Sequence, residues 1–541
     1  LGACNGDLTL DEIISNVPKS LRDFLKIKTT DYENIDVLSL FENDKRNIWL
    51  LPSDKILGKT KPFVDYQNDA TAKDIKLALR EGFRSIEHVK RYTTTGMGTD
   101  QGKLGNMHAL GIIAETAGSK MGEVGTTTFR PPYTPLTFGT IVGRNVGEYF
   151  DIVRKTPMHD WHTKNKAKFE NVGQWKRAWY YPKENENMHQ AVQRESKAAR
   201  DSAGILDAST LGKIDIQGTD ASEFLNRVYT NAWSKLAIGK CRYGLMLNED
   251  GMVYDDGVTT RLNENHYIMT TTTGGAANVL SKLEDYLQTE WPELDVYLTS
   301  VTDHYSTISV CGPNSKKIIS KVIPELDLSE ENFPHMSFKN TKIGKINCRV
   351  MRISFTGEHS YEINIQSNYG NSVWKKCMEA GKEFNITPYG TETMHLLRAE
   401  KGFIIVGQDT DATMTPIDLQ MDWIVSKKKY DFIGKRSLYR SDTIREDRKQ
   451  LVGLLTEDPN EVLEEGAQIV ADVNKSPIEM LGHITSSYYS PNLKKSIALG
   501  VVRGGKNMMG QKLIIPMEKK NINVTVADPV FLDKENKRLN A

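Results

Sequence analysis

Strand patterns and helix patterns alternate in two consecutive stretches of the chain, and this alternation limits the possible folds more than any other feature. Between residues 211 and 310, apolar strand-like runs are separated by helical segments at 219–229 and 275–290. A second series follows, with a helix near 314–323, two strands, and helices at 371–383 and 390–400. Two mixed series of similar size predict an α+β fold with a structural pseudo-repeat.

The flanking regions have a different character. Thr71 and Asp74 have the spacing of a capping box, and Gly82 ends the helical pattern that they begin. We therefore predict a small helical module before residue 125, followed by a linker rich in Thr and Pro at 125–135. Residues 450–535 are strand-rich with many turn residues, which predicts a small β-barrel or sandwich.

Composition narrows the function classes. The 541 residues exceed what one hydrophobic core organises. Lys plus Arg and Asp plus Glu are equal at 70 each, so we expect neither nucleic acid nor a membrane as partner. No two of the five cysteines have CxxC spacing, and the histidines form no ligand motif. We therefore expect no metal site and a reducing, cytoplasmic location.

Two neighbouring acids, Asp255 and Asp256, stand inside an apolar strand pattern. Adjacent strand residues face opposite sides, so one carboxylate is expected on the core side and the other toward solvent. A carboxylate on an interior face needs a partner or a ligand, because burying it unpaired is costly. The alternative is an edge or turn aspartate bonded to backbone, which is common for this residue.

Two further charged residues are candidates for a binding site. Glu362 alternates with apolar neighbours in the strand YEINIQ, where it lies either on the solvent face or at the rim of a cavity. In a cavity its two oxygens could accept paired N–H bonds from a flat heterocycle. Arg398 either pairs with Glu400 in the interior or holds an acidic group in the site.

Many collinear motifs resemble the aminomethyltransferase family, the T-protein of the glycine cleavage system. The resemblance runs from about residue 155 to the C-terminus and rests on these segments: CRYGLMLNEDGMVYDD (241–256), FTGEHSYEI (355–363), LRAEKGFIIVGQDTD (397–411), DFIGKRSL (431–438) and GHITSSYYSPNLKKSIALGVV (482–502). Upstream, residues 63–103 and 124–135 are similar to the α subunits of heterotetrameric sarcosine oxidases.

The resemblance implies a three-lobed, T-protein-like α+β fold that binds tetrahydrofolate in a central hole. Asp255 matches the catalytic aspartate of the family, and Glu362 matches its pterin-binding glutamate. The other matching folate-pocket positions are Asp256, as the alternative register of the aspartate, Tyr243, Phe355 and Arg398.

The resemblance also implies a domain order. Residues 1–60 would be the tail of a truncated flavin- and NAD-binding domain with a connector, in which Gly2 and Gly6 would contact the cofactor. The chain starts at Leu1 in a glycine-containing run, which also leads us to expect a longer polypeptide. The small helical module would occupy 61–130, the folate-binding domain 131–440 and the C-terminal β-barrel 441–541.

The implied function is that of a sarcosine oxidase α subunit. It would convert the one-carbon unit from sarcosine oxidation to 5,10-methylenetetrahydrofolate, with FAD, NAD and FMN in a complex that also contains β, γ and δ subunits. The alternatives are a stand-alone folate-dependent aminomethyltransferase or demethylase, a relative of dimethylglycine oxidase, and a folate-binding scaffold without catalysis.

Overall fold

The chain divides into two compact units, which comprise residues 1–150 and 151–541. The computed structural model describes residues 7, 9–26, 47–55, 59–130, 134 and 136–540. Gly2 and Gly6, which the resemblance assigns to a cofactor site, lie outside the described residues, as does most of the connector before residue 59. None of the helices in the described ranges is both long and apolar enough to cross a membrane.

The first unit is mainly helical. Its elements are α1 (Leu10–Leu25), β1 (Phe63–Asp65), β2 (Ala70–Thr71), α2 (Ala72–Arg80), α3 (Ile86–Thr93), α4 (Asn106–Ala117), α5 (Met121–Val124) and α6 (Phe138–Val142). Thr71 and Asp74 form the predicted capping box at the start of α2, and Gly82 follows the helix with φ of 100°. Ile75 and Ala78 of α2 pack against Ile112 of α4 in the core of this unit.

The second unit begins with a small three-stranded sheet and two helices. These elements are β3 (Arg154–Lys155), α7 (His159–Lys164), β4 (Lys168–Val172), β5 (Trp175–Tyr180) and α8 (Met188–Asp201). The strand order is β3-β5-β4. Trp161 and Tyr181 lie edge to face in this region, so these aromatic side chains contribute to packing.

Two larger sheets follow, as the two alternating series predict. The five-stranded sheet and its helices comprise β7 (Gly212–Gln217), α9 (Ala221–Val228), β8 (Cys241–Leu247), β9 (Val253–Asn263), β10 (His266–Thr271), α10 (Ala276–Asp285) and β11 (Tyr297–Ser300). Its strand order is β11-β7-β10-β9-β8. Ile214 and Ile216 alternate with Lys213 and Asp215, so only one face of β7 contributes to the apolar core beneath α9 and α10.

The six-stranded sheet has the order β13-β14-β15-β12-β6-β16. Its elements are β6 (Gly204–Asp207), β12 (Tyr305–Cys311), α11 (Ser315–Val322), β13 (Ser337–Ile343), β14 (Ile346–Arg352), β15 (Ser360–Gln366), α12 (Gly370–Ala380), β16 (Thr387–Pro388) and α13 (Thr391–Glu400). Ile308, Val350 and Ile363 pack on the face that carries α11 and α12. The other face of β14 and β15 carries polar side chains.

The C-terminal strands close into a barrel, as the strand-rich tail predicts. They are β17 (Lys449–Thr456), β18 (Gln468–Val470), β19 (Met480–Ser490), β20 (Lys495–Arg503), β21 (Lys512–Pro516) and β22 (Asn521–Ala527). The order is β17-β20-β19-β18-β21-β22, and β22 pairs back onto β17. Val452, Ile469 and Val524 fill its interior.

Candidate functional site

The hairpin of β8 and β9 positions the two neighbouring aspartates. Asn248 N donates to Met252 O at 2.8 Å, and Gly251 adopts φ of 88°, so Asp250 and Gly251 form the turn of this hairpin. Across the hairpin, Asp255 is opposite Met246 and Asp256 is opposite Leu245. The turn, together with one irregularity in strand pairing beside Met246, therefore determines which β8 residues lie opposite the two aspartates.

Asp255 and Asp256 lie on opposite faces of β9, as the strand period predicts. Leu245, opposite Asp256, packs in a core with Leu247, whereas Met246, opposite Asp255, packs in the core beneath α9 and α10. The face of Asp256 is only partly open to solvent, however. Asp255 is 1% exposed, and Asp256 is half-buried, because other elements of the second unit cover the face that we expected to be solvated.

Asp256 forms a hydrogen-bonded pair with Tyr243. The Tyr243 hydroxyl donates to Asp256 Oδ2 at 2.6 Å. Burial raises the pKa of Asp256 to about 7, against the opposing effect of the Tyr243 hydrogen bond and with a further contribution from the charge of Asp255. Asp256 is therefore a carboxyl group that can hold or release a proton near neutral pH.

Asp255 is bonded to its own local backbone. Its Oδ1 accepts from Asp256 N at 2.8 Å and from Thr272 N at 3.3 Å, and its Oδ2 accepts from Thr272 Oγ1 at 3.3 Å. Burial raises the pKa of Asp255 to about 6, although these three hydrogen bonds oppose the shift. The side chain thus links β9 to the segment that follows β10.

Glu362 lies in β15 opposite Met351 on one side and Ser309 on the other. Within the described ranges, its carboxylate has no hydrogen-bond donor from the protein. Burial raises the pKa of Glu362 to about 7, and the positive charge of Lys213 opposes that shift. A half-buried carboxylate without a donor is an acceptor available for a ligand.

The sheet face that carries Glu362 and the sheet face that carries the Tyr243–Asp256 pair contribute side chains to one apolar cluster. Directly opposed residues of an antiparallel pair share a face, so Glu362 is on the face of Met351, and Tyr243 is on the face of Val258. Met351 and Val258 belong to the same apolar cluster. We therefore treat Glu362, Tyr243 and Asp256 as one candidate site, which we call the inter-sheet site.

Lys213 lies close enough to Glu362 for their charges to interact, which its sequence context does not reveal. Its ammonium donates to Ser209 O at 3.1 Å and to Leu211 O at 2.9 Å, and the residue is only 1% exposed. Burial lowers the pKa of Lys213 to about 8, and Glu362, Asp207 and Asp303 oppose that shift. The alternation in KIDIQG signals a polar face, but it does not show that another sheet covers that face.

Arg398 and Phe355 lie together around Phe403. Arg398 Nη1 donates to Phe403 O at 2.9 Å, and the rings of Phe355 and Phe403 stack with centroids 6.1 Å apart. Arg398 is fully buried and pairs with Asp409. The interior pair of Arg398 with Glu400 is not formed.

Glu400 instead binds a different arginine. Arg200 Nε donates to Glu400 Oε2 at 2.9 Å. Arg398 and Glu400 are both buried. Arg398 pairs with Asp409, beyond the end of the helix, and Glu400 pairs with an arginine that is distant in sequence. Folate binding by Arg398 and Phe355 stays a prediction.

A metal site has no support in the part of the chain that the structure describes. There, no group of three or more His, Cys, Asp or Glu side chains is arranged to hold a metal ion. The inter-sheet site instead offers carboxyl groups, a tyrosine hydroxyl and an ammonium group, which suit hydrogen bonding to an organic ligand.

Three protein-family models match the chain in order. The sarcosine oxidase A3 domain matches residues 59–144, the GCVT N-terminal domain matches residues 158–429, and the glycine cleavage T-protein C-terminal barrel domain matches residues 449–533. The second of these matches spans half of the chain and contains every residue of the inter-sheet site.

Two curated relatives are similar over most of the chain. The sarcosine oxidase subunit alpha of Corynebacterium sp. (strain P-1) is 52% identical over 92% of the chain, and that of Rhizobium meliloti (strain 1021) is 44% identical over 91%. The aligned parts are 52% and 50% of these relatives, so the chain spans about half their length.

A solved structure supports the fold. The aminomethyltransferase T of the glycine cleavage system from Bartonella henselae matches with a TM-score of 0.61 at 23% identity. The match covers 71% of this chain and 99% of that one.

Proposed function

Because the chain belongs to the glycine cleavage T-protein (aminomethyltransferase) family, we propose that its inter-sheet site binds tetrahydrofolate and promotes loading of a one-carbon unit onto it. The observation that carries this proposal is the Glu362 carboxylate, which is half-buried between two sheets and has no protein donor in the described ranges. Such a group is stable in the interior only when something else satisfies it.

The residues present fit a reduced pterin. One edge of a pterin carries a ring N–H and an amino group side by side, and a carboxylate accepts two such parallel hydrogen bonds. Glu362 can provide this acceptor, and the buried ammonium of Lys213 favours its charged form. Met351 and Val258 provide apolar surface beside it.

Asp256 and Tyr243 are the proposed acid–base pair. When bound, tetrahydrofolate supplies the two nitrogens that take up the one-carbon unit. Asp256 can exchange a proton at neutral pH because burial raises its pKa to about 7, and the Tyr243 hydroxyl fixes the orientation of its carboxyl group. The resemblance favours Asp255 as the catalytic group, whereas the geometry leads us to assign that role to Asp256.

In this assignment Asp255 is a positioning residue. It accepts a hydrogen bond from the backbone N–H of Asp256 and is held by Thr272. Its negative charge also contributes to the raised pKa of Asp256.

For the whole protein, we propose the reaction that the resemblance to sarcosine oxidase α subunits implies. The one-carbon unit from sarcosine oxidation would be converted to 5,10-methylenetetrahydrofolate here, while FAD, NAD and FMN would be held elsewhere in a complex with β, γ and δ type subunits in the cytoplasm. The A3-domain match at 59–144 favours this over a stand-alone aminomethyltransferase or demethylase. The Tyr243–Asp256 pair favours catalysis over a folate-binding scaffold, because its carboxyl group can exchange a proton near neutral pH.

We retain the domain order as part of the proposal. The folate-binding domain would occupy 131–440 and the barrel domain 441–541, after a helical module at 61–130. The remaining 1–60 would belong to a flavin- and NAD-binding domain.

The test is a calorimetric titration of the chain with tetrahydrofolate under anaerobic conditions. We expect Glu362→Gln to weaken binding about 10- to 100-fold, because a charge-assisted hydrogen bond is worth about 1.5–3 kcal/mol. Glu379→Gln is the matched control, because this glutamate is exposed on α12 and should leave affinity unchanged.

Asp256→Asn separates binding from catalysis. It should change affinity only slightly but reduce the enzymatic rate of 5,10-methylenetetrahydrofolate formation from formaldehyde by about 10²- to 10⁴-fold, the usual contribution of a general acid or base. Asp255→Asn should have the smaller effect on that rate. Unchanged affinity in Glu362→Gln would contradict the proposed site, and a larger rate loss in Asp255→Asn than in Asp256→Asn would reverse the assignment of the two aspartates.

A further inference from the structure

A cavity lies on the same sheet face as Glu362, farther along β14 and β15. Its volume is about 440 Å³. It is lined by Tyr305, Asn340, Thr341, Lys342, Asn347, Cys348, Arg349, Asn364 and Gln366. The lining contains two cationic side chains and four amides but no carboxylate, so its charge complements an anion.

Arg349 has hydrogen-bonding capacity that the described residues do not use. Its Nε and Nη1 atoms are buried and have no hydrogen-bond partner within the described ranges, and its guanidinium lies 5.6 Å from the centre of the Phe338 ring. Burial lowers the pKa of Arg349, with opposing contributions from Tyr305, Asp215 and Cys241. A buried guanidinium with two unbonded N–H groups would be stabilised by an acceptor that can take hydrogen bonds from both of them.

Asp215 does not provide that acceptor. His266 Nε2 lies 2.7 Å from Asp215 Oδ1, and Gln217 Nε2 donates to Asp215 Oδ2 at 2.6 Å. Asp215 influences the pKa of Arg349 by its charge, but both of its carboxylate oxygens already bond to other side chains.

Asn364 lies directly opposite Arg349 and shares its face. The Thr307 hydroxyl donates to Asn364 Oδ1 at 2.8 Å, so the amide nitrogen is the other polar atom of this side chain to account for. That nitrogen donates to Met351 Sδ at 3.3 Å, and a thioether is a weak acceptor. Asn364 is 8% exposed, so its NH₂ group is a buried donor with poor compensation.

We propose that the cavity at Arg349 and Asn364 is a binding site for a small organic carboxylate, distinct from the folate site. The guanidinium would bind the carboxylate oxygens, the Asn364 amide would donate a further hydrogen bond, and Lys342 at the cavity wall would add positive charge. Glu362 is two residues from Asn364 on the same face of β15, so the two sites are neighbours.

The experiment is a calorimetric titration of the chain with succinate at low ionic strength. The chain should bind succinate, and Arg349→Gln should weaken that binding at least about tenfold, the effect of losing one charge-assisted hydrogen bond. Arg436→Gln, at an exposed arginine, removes the same charge and should leave binding unchanged.

A second variant guards against misfolding. Asn364→Ala should also weaken succinate binding while thermal unfolding remains cooperative. Glu362→Gln should retain succinate binding even where folate binding is lost, so failure of the folate proposal is distinguishable from failure of this one. Absence of succinate binding, equal binding by Arg349→Gln, or binding of inorganic phosphate alone would overturn the carboxylate site.

Discussion

Burial sets the protonation of single carboxyl groups in the inter-sheet site. The pKa of Asp256 and of Glu362 is raised to about 7, mainly because the charged form loses hydration. Asp256 accepts a hydrogen bond from the Tyr243 hydroxyl. For Glu362, the positive charge of Lys213 is the one effect that opposes the rise in pKa. The two carboxyl groups therefore have similar pKa values, but one has a hydrogen-bond donor and the other has only a nearby charge.

Folate affinity should depend on the charge of Glu362. The raised pKa means that the group is protonated below about pH 7 and ionised above it. A protonated carboxyl cannot accept two N–H bonds, so affinity for tetrahydrofolate should fall as pH is lowered from 8 to 6. Below the pKa the loss should approach about tenfold per pH unit, and calorimetry across this range measures it.

Lys213→Met tests the cause of that profile. Removing the ammonium removes the effect that lowers the pKa of Glu362, so the midpoint of the binding profile should move to higher pH. Lys382→Met, at an exposed lysine, is the control. A midpoint that stays in place in Lys213→Met, or that persists in Glu362→Gln, would show that another group controls the profile.

Single-residue chemistry was predictable from the sequence only in part. Alternation correctly placed Asp255 and Asp256 on opposite faces, because that depends on the strand period alone. It did not show that both faces are covered, because coverage comes from other parts of the fold. For the same reason, Lys213 and Arg349 were not identified as buried charges.

At the level of elements, β9 carries the acids at a point where it lies very close to β10. A Cβ atom on Gly257, the residue after Asp256, would lie 1.9 Å from Thr270 O. Only glycine fits there without displacing one strand from the other. The position of Asp256 therefore depends on the absence of a side chain at its neighbour.

Gly257→Ala should destabilise the protein and impair the site together. The forced shift should cost about 1–3 kcal/mol, as overpacking does, and should weaken folate-dependent turnover by displacing Asp256. Gly274→Ala is the matched control, because its added Cβ would meet nothing closer than 4.0 Å. Thermal unfolding and activity of the two variants measure the difference, and equal stability would contradict the close approach.

Elements defined by local chemistry were the most predictable. The Thr71–Asp74 capping box forms as expected, because its determinants lie within a few residues of each other. The pairing of Arg398 with Glu400 was suggested by proximity along the helix and is not formed. Arg398 takes Asp409 because that partner is fixed by the loop beyond the helix and by the barrel.

On the scale of the whole second unit, a buried ion cluster joins segments that are far apart in sequence. Arg200 Nη1 donates to Glu358 Oε1 at 2.7 Å, and Arg200 also binds Glu400. Arg538, near the C-terminus, donates to the same Glu358 oxygen at 2.6 Å. The cluster ties α8 and α13 to the chain end that follows the barrel.

Arg200→Met should destabilise this unit strongly. It leaves two buried carboxylates without their main partner, and breaking a buried pair costs about 3–5 kcal/mol. Arg503→Met removes an exposed ion pair with Glu479 and should change stability by less than about 1 kcal/mol. Chemical denaturation of both variants compares the two, and a small effect in Arg200→Met would show that the cluster contributes little.

Folate binding as proposed requires Glu362 to be the acceptor for a reduced pterin between the two sheets. The most direct measurement is a crystal structure of the chain with 5-formyltetrahydrofolate, a stable reduced folate. We predict that the pterin edge lies within hydrogen-bond distance of both Glu362 oxygens, with Asp256 and Tyr243 on the same side of the ligand as its one-carbon-carrying nitrogens. A folate bound elsewhere, with Glu362 still without a donor, would contradict the account.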